Sequence, residues 1–376
     1  MTGVTAQLQE FCRIVQGGRS GLSGNDFVPE GVPAYGAGGM NGFLRNYEFN
    51  EPAIVLSAIG ARCGKCFYVD GKWASLANTQ LIFPNPTRAD AKFLWYQLND
   101  ERRWHRSGTG QPFIKPADVK THRVFLPPIS DQRRIVGLLD KVYTLLVKRR
   151  VALRQIDALR QAIFLDMFGD PGARGWRTSI ISDVASNTNG AIRTGPFGSQ
   201  LLHSEFTDHG IAVLGIDNAV ENEFRWGKRR FISEAKFRQL CRYAVHPGDV
   251  LITIMGTCGR CAIVPDDIPT AINTKHLCCI TLDRTKSLPT FLHAYFLGHP
   301  IARRYLAQKA KGAIMEGLNM GIVREMPIPL APIDLQQEFA ERLKRLSVVK
   351  AAYDRSEVDL ERLFASLRHG AIRGEL

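Results

Sequence analysis

Apolar residues recur at steps of three and four along two long stretches of the chain, and this spacing predicts two long α-helices. The first stretch covers residues 131–168, with no proline and with Gly137 as its one glycine, and the second runs from Ile333 to about Arg368. A polar residue, Arg149, occupies one apolar position, where we expect it either to fix the helix register or to extend to solvent. The predicted apolar seams consist of Ile135, Leu138, Val142, Leu145, Ala152, Ile156, Leu159 and Ile163 in the first helix, and of Phe339, Leu343, Leu346, Val349, Tyr353, Leu360, Leu363 and Leu367 in the second.

The remaining residues show short apolar runs between turn residues, which predict two globular units of mixed α and β structure. Strands are predicted at 53–56 and 80–83 in the first unit, and at 250–254 and 262–264 in the second. Helical patterns at 92–106 and 289–307 occupy matching places in the two units. We therefore expect an α+β protein.

The two units also repeat short motifs. The sequence around Cys63 and Cys66 returns around Cys258 and Cys261, and Asn-Thr at 78–79 returns at 273–274. A Pro-Ile pair stands before Gln132 and again before Gln336. Such internal repetition predicts a chain built as unit, helix, unit, helix. The expected boundaries are 1–130 for the first unit, 131–170 for the first helix, 171–332 for the second unit and 333–376 for the second helix.

The order of these parts predicts how the helices pack. A helix of about 38 residues is about 57 Å long, and its apolar seam needs a partner. Because the second helix starts at the second unit, packing along the first helix makes the pair antiparallel, with the units at its opposite ends. Duplex DNA presents successive major-groove faces about 34–36 Å apart, so two spaced units suit a bipartite site. In an alternative arrangement, each helix packs onto its own unit.

The charge and composition narrow the class of partner. The net charge is +13, while 45% hydrophobic and 23% charged residues are ordinary for a globular protein. Excess positive charge favours polyanions first and acidic membrane surfaces second. No apolar run approaches the roughly 20 residues of a membrane span, and the N-terminus lacks signal-peptide features, so we expect a cytoplasmic protein whose eight cysteines are thiols.

The paired cysteines raise the possibility of a zinc site, because two C-x-x-C pairs can supply four thiolates. The pairs fall at matching positions of two units that we expect at opposite ends of a helical spacer, and each pair alone gives two ligands. We therefore interpret the cysteines as small apolar residues in a turn between two strands and expect no metal and no cofactor.

Catalytic motifs are not evident in the sequence. The run Asn-Pro-Thr-Arg at 85–88 does not fit an adenine methyltransferase loop, and no phosphate-binding P-loop is present. Neither Asp266 and Asp267 nor Asp118 belongs to a complete nuclease-type carboxylate set. The sequence therefore favours a DNA-binding or scaffolding protein that is not itself an enzyme.

Three motifs resemble those of the specificity subunit of type I restriction-modification systems. They are Leu-Pro-Pro-Ile-Ser-Asp-Gln-Arg-Arg-Ile at 126–135, Arg-Thr-Gly-Pro-Phe-Gly-Ser-Gln-Leu at 193–201, and Lys-Gly-Ala-Ile-Met-Glu-Gly-Leu-Asn-Met at 311–320. The resemblance covers essentially the whole chain. It implies two target-recognition domains separated by an antiparallel coiled coil. Its partners would be double-stranded DNA, two methyltransferase subunits and restriction motor-nuclease subunits, without a membrane.

The resemblance is incomplete in two places. The first unit lacks the Thr-Gly-Pro-Phe-Gly-Ser run, so its equivalent DNA-facing loop is not identified by a match. The second helix keeps only one residue of the Asp-Gln-Arg-Arg stretch that opens the first, which leaves an equivalent partner surface at both ends uncertain. The candidate partner-binding residues are Gln132, Arg133, Arg134 and Gln336.

Candidate DNA contacts combine Lys and Arg, which hold phosphates, with polar side chains that read base edges. A basic run such as 228–230 is more often a solvated face than a base reader, so phosphate contact is the most we expect from it. The alternative function is a coiled-coil scaffold that binds DNA non-specifically. The candidates in the second unit are Arg193, Thr194, Phe197, Ser199, Gln200, Lys228, Arg229, Arg230, Lys311 and Asn319, and those in the first are Arg106, Ser107, Thr109, Gln111 and Lys115.

Overall fold

A computed structural model of the chain describes residues 3–18, 26–108, 110–310 and 317–375. The fold is of mixed α and β class, as predicted, and it divides into two compact units. The first unit comprises Met1–Val151 with Tyr353–Leu376, and the second comprises Ala152–Ala352. Both long helices cross the division, so each unit contains one half of each helix. The boundaries that place the helices outside the recognition domains stay a prediction.

The first unit contains two four-stranded sheets and one two-stranded sheet, with strand orders β2-β9-β6-β7, β4-β3-β8-β5 and β1-β10. Its strands are β1 (Val4–Gln7), β2 (Cys12–Gln16), β3 (Val32–Gly36), β4 (Gly39–Leu44), β5 (Phe49–Asn50), β6 (Ala53–Ser57), β7 (Cys66–Val69), β8 (Lys72–Ser75), β9 (Thr79–Pro84) and β10 (Arg123–Leu126). Its helices are α1 (Ala91–Leu98), α2 (Pro116–Thr121), the first half of α3 (Ile129–Phe168) and the second half of α9 (Ile333–Arg373).

The second unit repeats this arrangement with the orders β12-β20-β17-β18, β13-β15-β14-β19-β16 and β11-β21. Its strands are β11 (Thr178–Ile180), β12 (Ile192–Thr194), β13 (Phe206–Thr207), β14 (Ile211–Leu214), β15 (Phe231–Ile232), β16 (Ala244–Val245), β17 (Val250–Thr253), β18 (Cys261–Ile263), β19 (Ala271–Asn273), β20 (Leu277–Ile280) and β21 (Pro327–Pro329). Its helices are the second half of α3, α4 (Ile181–Val184), α5 (Glu234–Leu240), α6 (Pro289–Gly298), α7 (Pro300–Ala310), α8 (Met320–Arg324) and the first half of α9 (Ile333–Arg373). The predicted strand runs are all confirmed.

The two long helices pair in antiparallel fashion within each unit. In the first unit, the Tyr143 ring lies 6.2 Å from that of Phe364, and Arg150 Nε donates to Glu357 Oε1 at 2.7 Å. In the second unit, the Phe164 ring lies 5.5 Å from that of Phe339. Later residues of α3 therefore contact earlier residues of α9, so the two helices run in opposite directions. The predicted antiparallel pair is therefore confirmed.

The predicted apolar seam is wrong at five positions. Side chains between 38% and 50% exposed are found at Leu138, Leu145, Leu159, Val349 and Leu363. The sequence offers leucine doublets at 138–139 and 145–146, and the structure buries the second member of each. Burial in this half of α3 follows steps of four, three and four, which is the heptad spacing of a coiled coil. The buried residues there are Ile135, Leu139, Val142 and Leu146.

The polar residue of the seam, Arg149, is half-buried. Its guanidinium lies 4.1 Å from the centre of the Tyr353 ring on α9. An aromatic face accepts a cation while shielding its alkyl stem from water. The polar seam position is therefore occupied by a cation–π contact between the two helices.

Both shorter predicted helices end earlier than expected. The first unit replaces 92–106 with α1, which stops at Leu98, and a separate 3₁₀ turn at Glu101–Arg103. The second unit breaks the predicted 289–307 helix at His299, whose ψ of 133° is extended. Pro300 follows, and a proline disfavours helical backbone in the residue before it. Among the described residues, no helix is both long enough and apolar enough to cross a bilayer.

Candidate nucleic-acid interface

The loop at 195–200, which follows β12, is shaped by two glycines. Gly195 lies so close to β19 that a Cβ on it would fall 1.9 Å from the Asn273 carbonyl oxygen, so only glycine fits. Gly198 has a φ of +55°, in the region that favours glycine. Between them Phe197 is 47% exposed, although it is a large apolar side chain. The backbone thus turns sharply and presents an aromatic ring to solvent.

Polar residues at the two ends of this loop differ in exposure. Thr194 is half-buried at the end of β12, whereas Ser199 and Gln200 are exposed. The side-chain oxygen Oε1 of Gln200 accepts hydrogen bonds from the Phe197 backbone N–H and from the Tyr243 hydroxyl, both at 3.0 Å. The Ser199 side chain is therefore accessible to a ligand, while the side-chain oxygen of Gln200 is already hydrogen-bonded within the protein.

Arg193 is not on the surface. The residue is 9% exposed, and its Nη2 lies 2.6 Å from the carboxylate of Asp249, which is 1% exposed. Nη1 also donates to Thr281 Oγ1 at 2.9 Å, and Nε donates to the Ala244 carbonyl at 3.1 Å. Because every nitrogen of the guanidinium is engaged inside the protein, Arg193 is unsuited to the direct phosphate contact that we predicted from the sequence.

The basic run at 228–230 lies on a loop that is specific to the second unit. This loop, residues 215–230, joins β14 to β15, whereas only residues 37–38 join the corresponding strands β3 and β4. Lys228 and Arg229 are exposed, and the Arg229 guanidinium lies 5.1 Å from the centre of the Trp226 ring. Arg230 instead pairs with Asp217 at 3.1 Å. Two of the three cations are thus available to a ligand.

The remaining candidates of the second unit frame the segment before α8. Lys311 lies outside the described residues. Asn319 is exposed and caps α8, because its side-chain oxygen accepts from the Ile322 N–H at 2.9 Å. The capping bond occupies the amide oxygen but leaves the amide nitrogen of this side chain available.

Candidates in the first unit lie in the equivalent segment, before α2. The Arg106 guanidinium donates to the Glu101 backbone carbonyl at 2.9 Å, and Ser107 pairs with Phe113 in a two-residue bridge. Thr109 lies outside the described residues. Gln111 and Lys115 are exposed, and they are the two side chains of this group that the described contacts leave most open.

Strand register identifies the loop that the sequence match did not find in the first unit. Arg193 lies opposite Cys279 in β20, and Val15 lies opposite Leu81 in β9. Because β20 and β9 occupy the same place in the two sheets, Arg193 and Val15 are equivalent positions. The following glycine is also equivalent: a Cβ on Gly17 would lie 1.9 Å from Thr79 Oγ1. The counterpart of the 195–200 loop thus starts at Gly17, and its continuation at 19–25 lies outside the described residues.

Two of the four predicted partner-binding residues are buried inside their units. Gln132 and Gln336 are 0% exposed. Gln132 accepts from the Asp90 N–H at 2.8 Å, and Gln336 accepts from the Leu288 N–H at 2.8 Å. Each amide nitrogen donates to two backbone carbonyls. Since these amides hold the start of α1 and α6 against the long helices, the partner-binding assignment of both residues needs correction.

Two arginines of the same group remain on the surface. Arg133 and Arg134 are both exposed on the first turns of α3. Arg134 lies 3.7 Å from the Asp131 carboxylate, one helical turn away. An ion pair this exposed is weak, so it leaves the guanidinium accessible to another carboxylate. These two side chains stay candidate partner contacts.

The cysteine pairs lie in hairpins, one between β6 and β7 and one between β17 and β18. Cys63 and Cys66 are buried, and the Cys66 thiol donates to the Leu98 carbonyl at 3.4 Å. Burial raises the pKa of the Cys66 and Cys261 thiols, which keeps them protonated. Within the described parts of the chain, no three His, Cys, Asp or Glu side chains form a metal-binding group.

Comparison with known proteins shows which family the chain resembles. Residues 4–153 match the family model described as Type I restriction modification DNA specificity domain. The chain is 24% identical over 284 residues to the type I restriction enzyme EcoBI specificity subunit of Escherichia coli, covering 67% of this chain and 58% of that protein. It is 22% identical over 314 residues to the MjaVIII specificity subunit of Methanocaldococcus jannaschii, covering 79% of this chain and 72% of that protein.

Solved structures with the same fold cover nearly the whole chain. The type I restriction-modification S subunit from M. genitalium aligns over 99% of this chain and 96% of its own, with a TM-score of 0.64 and 14% identity. A chain from work on complex assembly and conformational transition of the type I restriction-modification system aligns over 100% and 98%, with a TM-score of 0.58 and 18% identity. The chain therefore resembles type I restriction-modification specificity subunits, with a family match over residues 4–153 and a shared fold over nearly its whole length.

Proposed function

We propose that the chain is a type I restriction-modification specificity subunit and binds a split, asymmetric sequence in double-stranded DNA. Each unit would read one half-site, and the chain would position two methyltransferase subunits and the restriction motor-nuclease subunits without catalysing a reaction itself. The observation that carries this proposal is the duplicated strand order within one chain, combined with loops that differ between the copies. Two similar but unequal units suit two unequal half-sites.

Exposed basic and polar side chains in both units support the proposal. Lys228 and Arg229 in the second unit and Lys115 in the first are accessible cations, consistent with phosphate contacts by a chain of net charge +13. Ser199 and Gln111 are exposed polar side chains of the kind that read base edges. Base recognition is therefore proposed for the loops, and anchoring for the cations beside them.

Electrophoretic mobility shifts at rising salt test the proposal. The chain, assembled with its methyltransferase subunits, should bind random duplexes with a steep salt dependence and should select one gapped sequence. Replacing both Lys228 and Arg229 with alanine should reduce the slope of log K against log salt by about 1.8, at roughly 0.9 per phosphate lost. The matched control replaces Lys344 and Arg345, which are exposed on α9, and should leave the slope unchanged.

The alternative function predicts a different result. A coiled-coil scaffold that binds DNA non-specifically should show no preferred sequence, with or without the partner subunits. Salt-dependent binding without sequence selection would favour this scaffold over the specificity subunit, because phosphate contacts alone carry no sequence preference. Sequence selection with an unchanged slope in the Lys228 and Arg229 variant would keep the function and reject these two phosphate contacts.

The two long helices are proposed to set the length of DNA between the half-sites. They contain 40 and 41 residues and pair in antiparallel fashion within each unit. Deleting seven facing residues from both removes two helical turns, about 10 Å, which corresponds to about three base pairs. The unread gap should change while both half-sites stay the same. Methylome sequencing of cells that carry the deletion checks this, and an unchanged gap would contradict it.

A further inference from the structure

A buried ion pair holds Arg193, which lies two residues before the loop at 195–200. Arg193 and Asp249 meet at 2.6 Å, and both side chains are at least nine-tenths buried. Asp249 is itself fully bonded: its Oδ1 accepts from Thr281 Oγ1 at 2.7 Å, and its Oδ2 accepts from the His246 N–H at 2.9 Å. Arg193 is the second residue of β12, and the loop begins two residues later. The ion pair therefore fixes the strand from which the loop starts.

The same fold is built without this ion pair in the first unit. Val15 stands at the position of Arg193. Ile54 is the equivalent of Val250 by strand register, so Ala53, one residue earlier, stands at the position of Asp249. Ala53 is 0% exposed and belongs to an apolar cluster that Val15 joins. A valine and an alanine thus suffice for the strand pairing. The charged pair of the second unit is not a requirement of the fold.

Burying two charges seldom adds stability over apolar residues that fill the same space, because each charge loses its hydration. What an ion pair does supply is direction, since its hydrogen bonds are satisfied in one arrangement only. Arg193 also donates to the carbonyl of Ala244, the first residue of β16. Its bonds join β12, Thr281 immediately after β20, and the 244–249 segment in a single orientation.

The far end of the loop is attached to the same segment. The Tyr243 hydroxyl donates to the side-chain oxygen of Gln200 at 3.0 Å, and that oxygen also accepts from the Phe197 backbone N–H. Tyr243 and Ala244 are neighbours in the chain, so two adjacent residues hold both ends of the loop. Phe197, which is exposed, and Ser199 lie between the two attachment points.

We propose that Arg193, Asp249 and Tyr243 are positioning residues for base recognition by the 195–200 loop. They do not contact DNA. They hold the loop in one conformation before DNA binds, and so they set how strongly the second unit discriminates its half-site from altered sequences. This inference rests on the proposed function, because it requires the loop to face DNA. A preorganised loop loses less conformational freedom on binding the correct sequence.

The first test replaces Tyr243 with phenylalanine, which removes only the hydroxyl that binds Gln200. The assembled complex is assayed against its own site and against duplexes altered in one half-site at a time. Discrimination should fall about three- to tenfold at one half-site, the effect of one hydrogen bond, and stay the same at the other. The matched control, Tyr305→Phe, removes a hydroxyl bond to the Ile322 carbonyl and should alter neither half-site.

The second test transplants the residues of the first unit by combining Arg193→Val with Asp249→Ala. This pair leaves no buried charge without a partner but deprives the His246 N–H and the Ala244 carbonyl of theirs, so the variant should still fold, with a melting temperature below that of the parent. It should lose discrimination at the same half-site as Tyr243→Phe, and the amides of 195–200 should exchange hydrogen faster.

The outcomes separate the inference from the proposed function. Specific binding with full discrimination at both half-sites in the double variant would overturn the positioning role and leave the function intact. A loss shared equally by both half-sites would point to general destabilisation and would also overturn it. If the unsubstituted complex selects no sequence at all, the proposed function fails, and the positioning role fails with it.

Discussion

Replacing the buried Gln336 with methionine should destabilise the second unit strongly. Methionine nearly matches the shape of glutamine but can neither accept from the Leu288 N–H at 2.8 Å nor donate to the Ala331 and Lys286 carbonyls at 2.8 and 3.2 Å. Leu288 immediately precedes α6, so the lost bond also leaves the first turn of that helix without its contact to α9 through Gln336. Three backbone groups would remain without their partner.

The magnitude follows from these three bonds. Each contributes about 1 kcal/mol net, and a backbone group left unpaired in the interior costs about 1–3 kcal/mol. Partial compensation by the apolar methionine side chain leaves an expected loss of about 3–4 kcal/mol in the free energy of unfolding. Gln337→Met is the matched control, because the neighbouring Gln337 is exposed, and it should change stability by less than about 0.5 kcal/mol.

Urea denaturation of both variants measures the difference, and hydrogen exchange of the 284–292 backbone localises it. Gln132→Met should behave alike in the first unit, where Gln132 accepts from the Asp90 N–H immediately before α1. A loss below about 1 kcal/mol for Gln336→Met would refute the reasoning, since it would mean that water or another side chain replaces the amide. Loss of partner binding without loss of stability would return Gln336 to the role predicted from the sequence.

Three further predictions concern single residues of the first unit. Burial, with a smaller contribution from the Arg103 charge, lowers the pKa of His122 to about 4. As the pH falls, the unfolded chain therefore takes up this proton before the folded chain does, and the stability present above about pH 6.5 should decrease by about 2 kcal/mol by pH 4. Urea titrations of His122→Phe should lack that part of the pH dependence. Gly137→Ala should raise the free energy of unfolding by about 0.5–1 kcal/mol, because the glycine is exposed within α3 and nothing lies within 4 Å of the added carbon; a loss of stability would contradict this. Arg150→Met should cost less than about 1 kcal/mol at low salt and nothing at 1 M salt, since its pairs with Glu357 and Glu361 are exposed.

The sequence was sufficient to predict features that depend on local pattern. The apolar runs gave the central strands of both units, and the absence of proline and glycine predicted the two long helices to within a few residues of Ile129–Phe168 and Ile333–Arg373. Heptad phase was predicted less well, because adjacent leucines such as Leu138 and Leu139 fit either of two neighbouring phases. The choice between them depends on the partner helix, which a local pattern does not contain.

The site was harder to predict because burial of a charge depends on a partner distant in the chain. Arg193 precedes a Gly-Pro-Phe turn and resembles a surface cation, yet Asp249, 56 residues further on, holds it inside. A signal was present in the sequence: where the first unit has Val15 and Ala53, the second has an arginine and an aspartate. Two opposite charges that replace two apolar residues together indicate a buried pair, once strand register aligns the units.

Comparison of the two units distinguishes the residues that hold the fold from those that serve one half-site. Gln132 and Gln336 are present in both copies and make matching bonds, so their amides are required wherever this fold is built. The Arg193–Asp249 pair is present in one copy, so the fold tolerates its absence. A stable unit therefore needs the first kind of contact, while a change in the DNA sequence read by one unit should alter only the second. For this reason, exchanging the loop at 195–200 between related chains should transfer recognition only if the residues that replace Arg193, Asp249 and Tyr243 are exchanged with it.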